Sequence, residues 1–109
     1  MELTSKQRAY LRSLSSQIEP IFQIGKASLT PEIVEAVNNA LEKRELIKVS
    51  VLKNCFDDPG ELADITSERT HSAVVQVIGK KFVLYRPSRK HPKITLPEKS
   101  GKNQADKKG

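Results

Sequence analysis

One cysteine, Cys55, and two histidines, His71 and His91, are all that the chain offers of the residue types best suited to bind soft metals or shuttle protons near neutral pH. A single cysteine permits no intrachain disulfide, so a reducing compartment, the cytoplasm, is the expected setting. Too few thiol and imidazole groups are present to gather a metal site. No base adjoins Cys55 in sequence, and a small buried apolar filler is the expected role. His71 falls where a helix is expected to end, a position that suits left-handed backbone. The chain is read as non-enzymatic, with no cofactor and no metal. Aromatic residues make up 5% of the sequence and fall mostly at core positions, which disfavours a sheet that stacks several bases. No apolar run approaches the roughly 20 residues of a membrane span. The N-terminus is polar from Glu2 onward and has no apolar signal segment, so no membrane partner is expected.

Positive charge is what the chain does have. The net charge is +6 over 109 residues, with a pI near 9.6, a prior for polyanion partners. Its distribution is uneven. Beyond Pro87 stand Arg89, Lys90, Lys93, Lys99, Lys102, Lys107 and Lys108, opposed only by Glu98 and Asp106. Prolines 87, 92 and 97 punctuate this stretch, and Ile94 and Leu96 are its only sizeable apolar residues. So little apolar surface does not offset the entropy of ordering the chain. The expected organisation is one folded domain, 1–87, and a mobile basic tail, 88–109.

Periodicity within the domain gives seven elements. Thr4-Ser5-Lys6-Gln7 has the form of a capping box, and Leu11, Leu14 and Ile18 follow at helical spacing, predicting a helix from Ser5 to about Gln17. Glu19-Pro20 stops it, and Ile21–Ile24 is the first strand. Thr30-Pro31 starts a second helix reaching about Lys43, with Ile33, Val34, Val37 and Leu41 inward. Leu46–Leu52 is the second strand, its Ile47, Val49 and Val51 opposite in face to Lys48 and Ser50. Asp58-Pro59 starts a third helix to about Arg69, with Leu62, Ala63 and Ile65 inward. Ala73–Ile78, a two-residue turn at Gly79-Lys80, and Lys81–Arg86 form a closing hairpin. The fold class is α/β in the order α-β-α-β-α-β-β, a mixed four-stranded sheet with packed helices. Its βαβ units are expected to place parallel neighbours through right-handed crossovers.

The candidate site starts at Gly25-Lys26-Ala27-Ser28, a small basic loop between the first strand and the second helix. Backbone amides, helix dipole and the Lys26 charge together suit a phosphate. Lys6, Arg8 and Arg12 lie off the apolar stripe of the first helix, and the like charges of Arg8 and Arg12 one turn apart add no stability. Each alone also reads as a solvated helix face. Lys80 and Lys81 add charge at the hairpin. Acidic residues gather elsewhere, at Glu32, Glu35, Glu42, Glu45, Asp57, Asp58, Glu61, Asp64 and Glu68. If the first helix lies beside the Gly25 loop, one side of the domain becomes a phosphate-binding strip.

Several motifs carry a family resemblance. Lys6-Gln7-Arg8-x-Tyr10-Leu11-Arg12-x-Leu14, Gln23-Ile24-Gly25-Lys26 and Leu29-Thr30 resemble the start of the bacterial YhbY-like RNA-binding proteins. Glu45 to Val49, Val51 to Cys55, Val75 to Lys81 and Val83 to Ser88 continue the likeness across nearly all of residues 3–88. The resemblance implies a CRM domain, the RNA-binding module shared with chloroplast splicing and ribosome-maturation proteins. It also implies a fold similar to the C-terminal domain of a bacterial translation initiation factor. It further implies an RNA surface made by the first helix and a Gly-x-x-Gly loop, and a link to precursors of the large ribosomal subunit. Ser28 stands here in place of that pattern's second glycine, and its hydroxyl either tolerates the loop geometry or contacts a phosphate.

The function expected is therefore RNA binding in large-subunit assembly, with ribosomal RNA as partner and ribosomal proteins as further candidates. Lys6, Arg8, Arg12, Gly25, Lys26, Ala27, Ser28, Lys80 and Lys81 are the proposed contacts. The rivals are a general nucleic-acid binder that also takes DNA, and a module whose acidic second and third helices face basic ribosomal proteins.

Overall fold

The structure, a computed structural model, describes residues 1–97. Its elements are α1 (Ser5–Ser15), β1 (Pro20–Ile24), α2 (Pro31–Arg44), β2 (Leu46–Val51), α3 (Pro59–Thr70), β3 (Ala73–Ile78) and β4 (Lys81–Tyr85). The helix starts follow their caps. Thr4 Oγ1 accepts from the Gln7 amide at 3.0 Å, and Gln7 Oε1 accepts from the Thr4 amide at 3.1 Å, completing a capping box. Thr30 Oγ1 accepts from the Ile33 amide and Asp58 Oδ2 from the Glu61 amide to cap α2 and α3, each followed by proline. His71 closes α3 in the left-handed region, φ 56° and ψ 42°. The first helix stops earlier than its apolar spacing suggests. Gln17 and Ile18 donate to Leu14 and Ser15, three residues back, so the chain tightens into a turn before Pro20.

The sheet order is β1-β2-β4-β3, with β1 and β2 parallel and the other pairs antiparallel. The first βαβ unit gives parallel neighbours as expected. The second does not, because β4 folds back from its hairpin and occupies the place between β2 and β3. Gly79 supports that hairpin with φ 54°, backbone that L side chains rarely adopt.

Each face of the sheet has its own apolar cluster. Ile24, Val37, Leu41, Ile47, Val49, Val51, Leu62, Ala63, Phe82 and Leu84 fill the face under α2 and α3, with Cys55 buried among them. Leu11, Leu46, Val75, Val83 and Tyr85 form a smaller cluster under α1. One expected core placement differs: Ile65 is partly exposed, beside the buried stripe of Leu62, Ala63, Thr66 and Thr70. Among the aromatic residues, Tyr10 is partly exposed and Phe56 lies almost entirely in solvent.

The chain beyond Pro87 also differs from a mobile tail, as far as Pro97. Glu45 is wholly buried at the corner between α2 and β2, with φ 68°. Its carboxylate accepts from the amides of Ser88 (2.6 Å), Lys93 (2.8 Å) and Ile94 (2.7 Å). Glu42 accepts from the Ser88 hydroxyl at 2.7 Å and the Arg89 amide at 3.1 Å. Ile94 and Leu96 then pack on the cluster under α1, and Gln7 Nε2 donates to the Pro97 carbonyl at 3.0 Å. Two apolar residues suffice because two carboxylates satisfy the backbone of the segment. The rest of the expected tail lies outside the described residues.

Ionisation fits this arrangement. Burial alone would raise the Glu45 pKa, but the amides of Ser88, Ile94 and Lys93, with the Lys93 charge, outweigh it and hold the carboxyl below its ordinary value. The Ser88 hydroxyl leads in lowering Glu42, helped by the Lys90 and Arg89 amides against partial desolvation. Burial, then the nearby Glu45 charge, pushes the Tyr85 hydroxyl up.

Candidate nucleic-acid interface

Strand register decides what meets what at the open end of the sheet. Ile24 pairs with Val51, and the Leu52 amide donates to the Ile24 carbonyl at 2.8 Å. Ser50 pairs with Lys81, and the Val51 amide donates to the Lys80 carbonyl at 2.7 Å. The end of β1, the end of β2 and the β3–β4 hairpin therefore share one end of the sheet. The Gly25 loop leaves from that end at the β1 edge, and Lys80 and Lys81 project from it two strands away.

The loop is a closed four-residue turn. The Ser28 amide donates to the Gly25 carbonyl at 2.9 Å, which leaves Lys26 and Ala27 at the exposed central positions. A Cβ on Gly25 would meet Asn54 Oδ1 at 3.4 Å, an ordinary contact, so the fold leaves Gly25 replaceable by alanine. The special backbone belongs to Ser28, with φ 59°. The second glycine of a Gly-x-x-Gly loop relieves that conformation; serine bears it. The Ser28 hydroxyl donates to Asp57 Oδ2. It thus braces the loop against the β2–α3 connection, and its proton faces a carboxylate instead of the outer side of the turn.

The first helix lies at the other side of this end. It packs on β2 and β3. Lys6 is exposed on its first turn. Arg8 is half-buried, and its Nη2 donates to the Val74 carbonyl at 3.2 Å, so part of this guanidinium docks the helix on the sheet. Arg12, one turn later, stands over a recess of about 200 Å³ whose lining includes Lys48, Gln76, Ile78, Lys81 and Val83. The structure thus brings Arg12 and Lys81 together around one recess, while the Gly25 loop leaves the same end of the sheet from the β1 edge.

Lys48 is the residue that the candidate set lacked. Alternation along β2 already placed it opposite in face to Ile47 and Val49, and that face is the one α1 covers only partly. Among the described residues the single ion pair within 4.0 Å joins Arg86 and Glu42. Arg12, Lys48 and Lys81 therefore have no carboxylate partner there. The acidic helices α2 and α3 lie across the sheet from them, and Glu45, counted with their acids, is buried.

Comparison with known proteins gives a consistent picture. The CRS1 / YhbY (CRM) domain matches residues 3–86. A Bacillus subtilis protein named "Probable RNA-binding protein YqeI" is 43% identical over 95 residues, covering 87% of this chain and 99% of the relative. A Haemophilus influenzae protein named "RNA-binding protein" is 36% identical over 97 residues, 89% of this chain and 97% of that protein. The solution structure of the hypothetical protein SAV1595 from Staphylococcus aureus superposes with a TM-score of 0.75 at 52% identity, covering 88% of this chain and all of that one.

Proposed function

Since the chain belongs to the CRS1 / YhbY (CRM) domain family, we propose that it is an RNA-binding protein acting in assembly of the large ribosomal subunit, in the cytoplasm. The observation that carries the RNA reading is the basic end of the sheet, where Arg12, Lys48 and Lys81 converge with no carboxylate among the described residues within 4.0 Å of them. Relatives named as RNA-binding proteins support it. In this reading Lys6, Arg8, Arg12, Lys80 and Lys81 hold phosphates. Lys26 and the turn at Gly25, Ala27 and Ser28 hold a further one at the β1 edge. Ribosomal RNA of the large-subunit precursor is the proposed target, and the basic residues beyond Pro97 add long-range attraction.

Two experiments test this. Crosslinking in cells, followed by sequencing of the attached RNA, should recover large-subunit precursor RNA; recovery of unrelated transcripts alone would remove the assembly role. Competition at fixed salt between duplex DNA, single-stranded RNA and structured ribosomal RNA should rank the ribosomal RNA first. Equal competition by DNA would favour a general nucleic-acid binder. Capture of basic ribosomal proteins that persists at high salt, with no RNA retained, would favour the protein-binding module.

A further inference from the structure

We infer that the recess beneath Arg12 takes a phosphate of single-stranded or looped RNA, with Lys48 as its innermost cation; the inference rests on the RNA-binding reading above. Three observations carry it. Lys48 sits opposite Val83 and Lys81 opposite Ser50, so the two lysines are diagonal neighbours on one face of an antiparallel pair. Like charges held on one face in this way repel each other. Arg12 adds a third positive charge from above, and no carboxylate among the described residues lies within 4.0 Å of any of them. Such a cluster favours a dense anion.

Depth decides which nucleic acid fits. Lys81 and Arg12 are exposed at the rim, while Lys48 is half-buried on the strand floor. A duplex carries its phosphates on the outside of a wide cylinder. It can rest on α1 and the hairpin and touch Lys6, Lys80, Arg12 and Lys81, but a cylinder that broad does not descend to Lys48. A single strand or a loop can turn one nucleotide inward. The lining then offers Gln76, whose amide both donates and accepts, and Ile78, 57% exposed, as an apolar contact. With no aromatic ring in the lining, the recess grips the backbone and one nucleotide edge and provides no stacking platform.

The test uses the full chain, a labelled eight-nucleotide single-stranded RNA and a blunt RNA duplex of the same sequence. Lys48→Gln should weaken single-strand binding at least fivefold and make its salt slope shallower by about 0.7, one phosphate contact. Duplex binding should change less than twofold. Lys48→Arg should retain single-strand affinity. The melting temperature of Lys48→Gln should be equal or higher, since a like charge is removed; a clear fall would make Lys48 a structural residue and overturn the inference. Equal losses for both RNAs, or no loss for either, would also overturn it and leave the RNA-binding reading standing. If the unmodified chain binds neither RNA, that reading falls, and the recess with it.

Discussion

The two faces of the sheet are built for different ends. Under α2 and α3 the cover is complete, and the apolar cluster runs from Ile24 to Leu84 without a charged member. On the other face a single helix packs over β2, β4 and β3, the cluster is about half the size, and the chain beyond Pro87 returns to finish it. The far end of that second face stays open, and the cations collect there. The comparison teaches that stability and ligand chemistry have been separated by face. The closed face holds the fold together, so the open one can keep three positive charges near one another without a partner.

The largest effect should come from damage to the closed face. Phe82→Ala removes a wholly buried ring and should cost about 3–5 kcal/mol in chemical denaturation. On the other face, Leu11→Ala should fall near the lower end of the leucine range, about 2–3 kcal/mol, because its neighbours include the partly exposed Leu3, Leu14 and Ile94. Equal losses would break the contrast.

Glu45→Ala should come next, at about 2–3 kcal/mol, since it leaves several backbone amides of the returning segment without their acceptor. The pH dependence has a definite sign. The folded pKa of Glu45 lies below its unfolded value, so the contribution is complete above the unfolded carboxylate range. It is lost as pH falls through the lowered folded pKa. Amide exchange on acidification should therefore speed up at Ser88, Lys93 and Ile94 before it does in β2 and β4. Simultaneous loss of protection would show that the segment is no separate unit.

RNA affinity should respond mainly on the open face. Arg12→Glu should weaken binding by about 1.5–3 kcal/mol, the scale of a hydrogen bond to a charged group, with the melting temperature unchanged. Arg8→Glu should weaken binding and also cost about 1 kcal/mol of stability, because it loses the bond to Val74. The two arginines thus separate binding from docking, although they are one turn apart on the same helix. An Arg8 variant of unchanged stability would show that its link to Val74 contributes nothing.

The smallest effect is expected at Ser28. Replacement by glycine relieves about 1 kcal/mol of left-handed backbone cost and loses a hydrogen bond to Asp57 of about 1.5 kcal/mol. Stability should change by less than about 1 kcal/mol, and RNA affinity should be equal or tighter. Weaker binding would mean that the hydroxyl leaves Asp57 for a phosphate.

Local signals made the elements legible. Caps at Thr4, Thr30 and Asp58, prolines behind two of them, and alternation in β2 are properties of short windows, and the structure follows them. The order of strands was less legible, because nothing in the second crossover says that β4 will slip between β2 and β3. The order of residues 88–97 is not legible in their composition, for a physical reason. Their order comes from Glu42 and Glu45, over forty residues away, and composition carries no trace of a remote carboxylate. Glu45 itself reads as one more acid on a charged helix. Only its position, before the strand and with left-handed backbone, makes it an interior anchor. At the site, residue type identified Arg12 and Lys81 as cations, but their convergence on Lys48 required the register of two strands.

The return of residues 88–97 has a temporal side. The closed face draws on residues 22–84 and can assemble once that span is available. The face under α1 needs Leu3 and Leu11 from one end of the sequence and Ile94 and Leu96 from the other. During synthesis the first helix is made early but has no finished seat until residues 94–96 emerge. Contacts of such long sequence separation form late. The seat of the helix that carries Arg8 and Arg12 is thus among the last parts of the molecule to be completed.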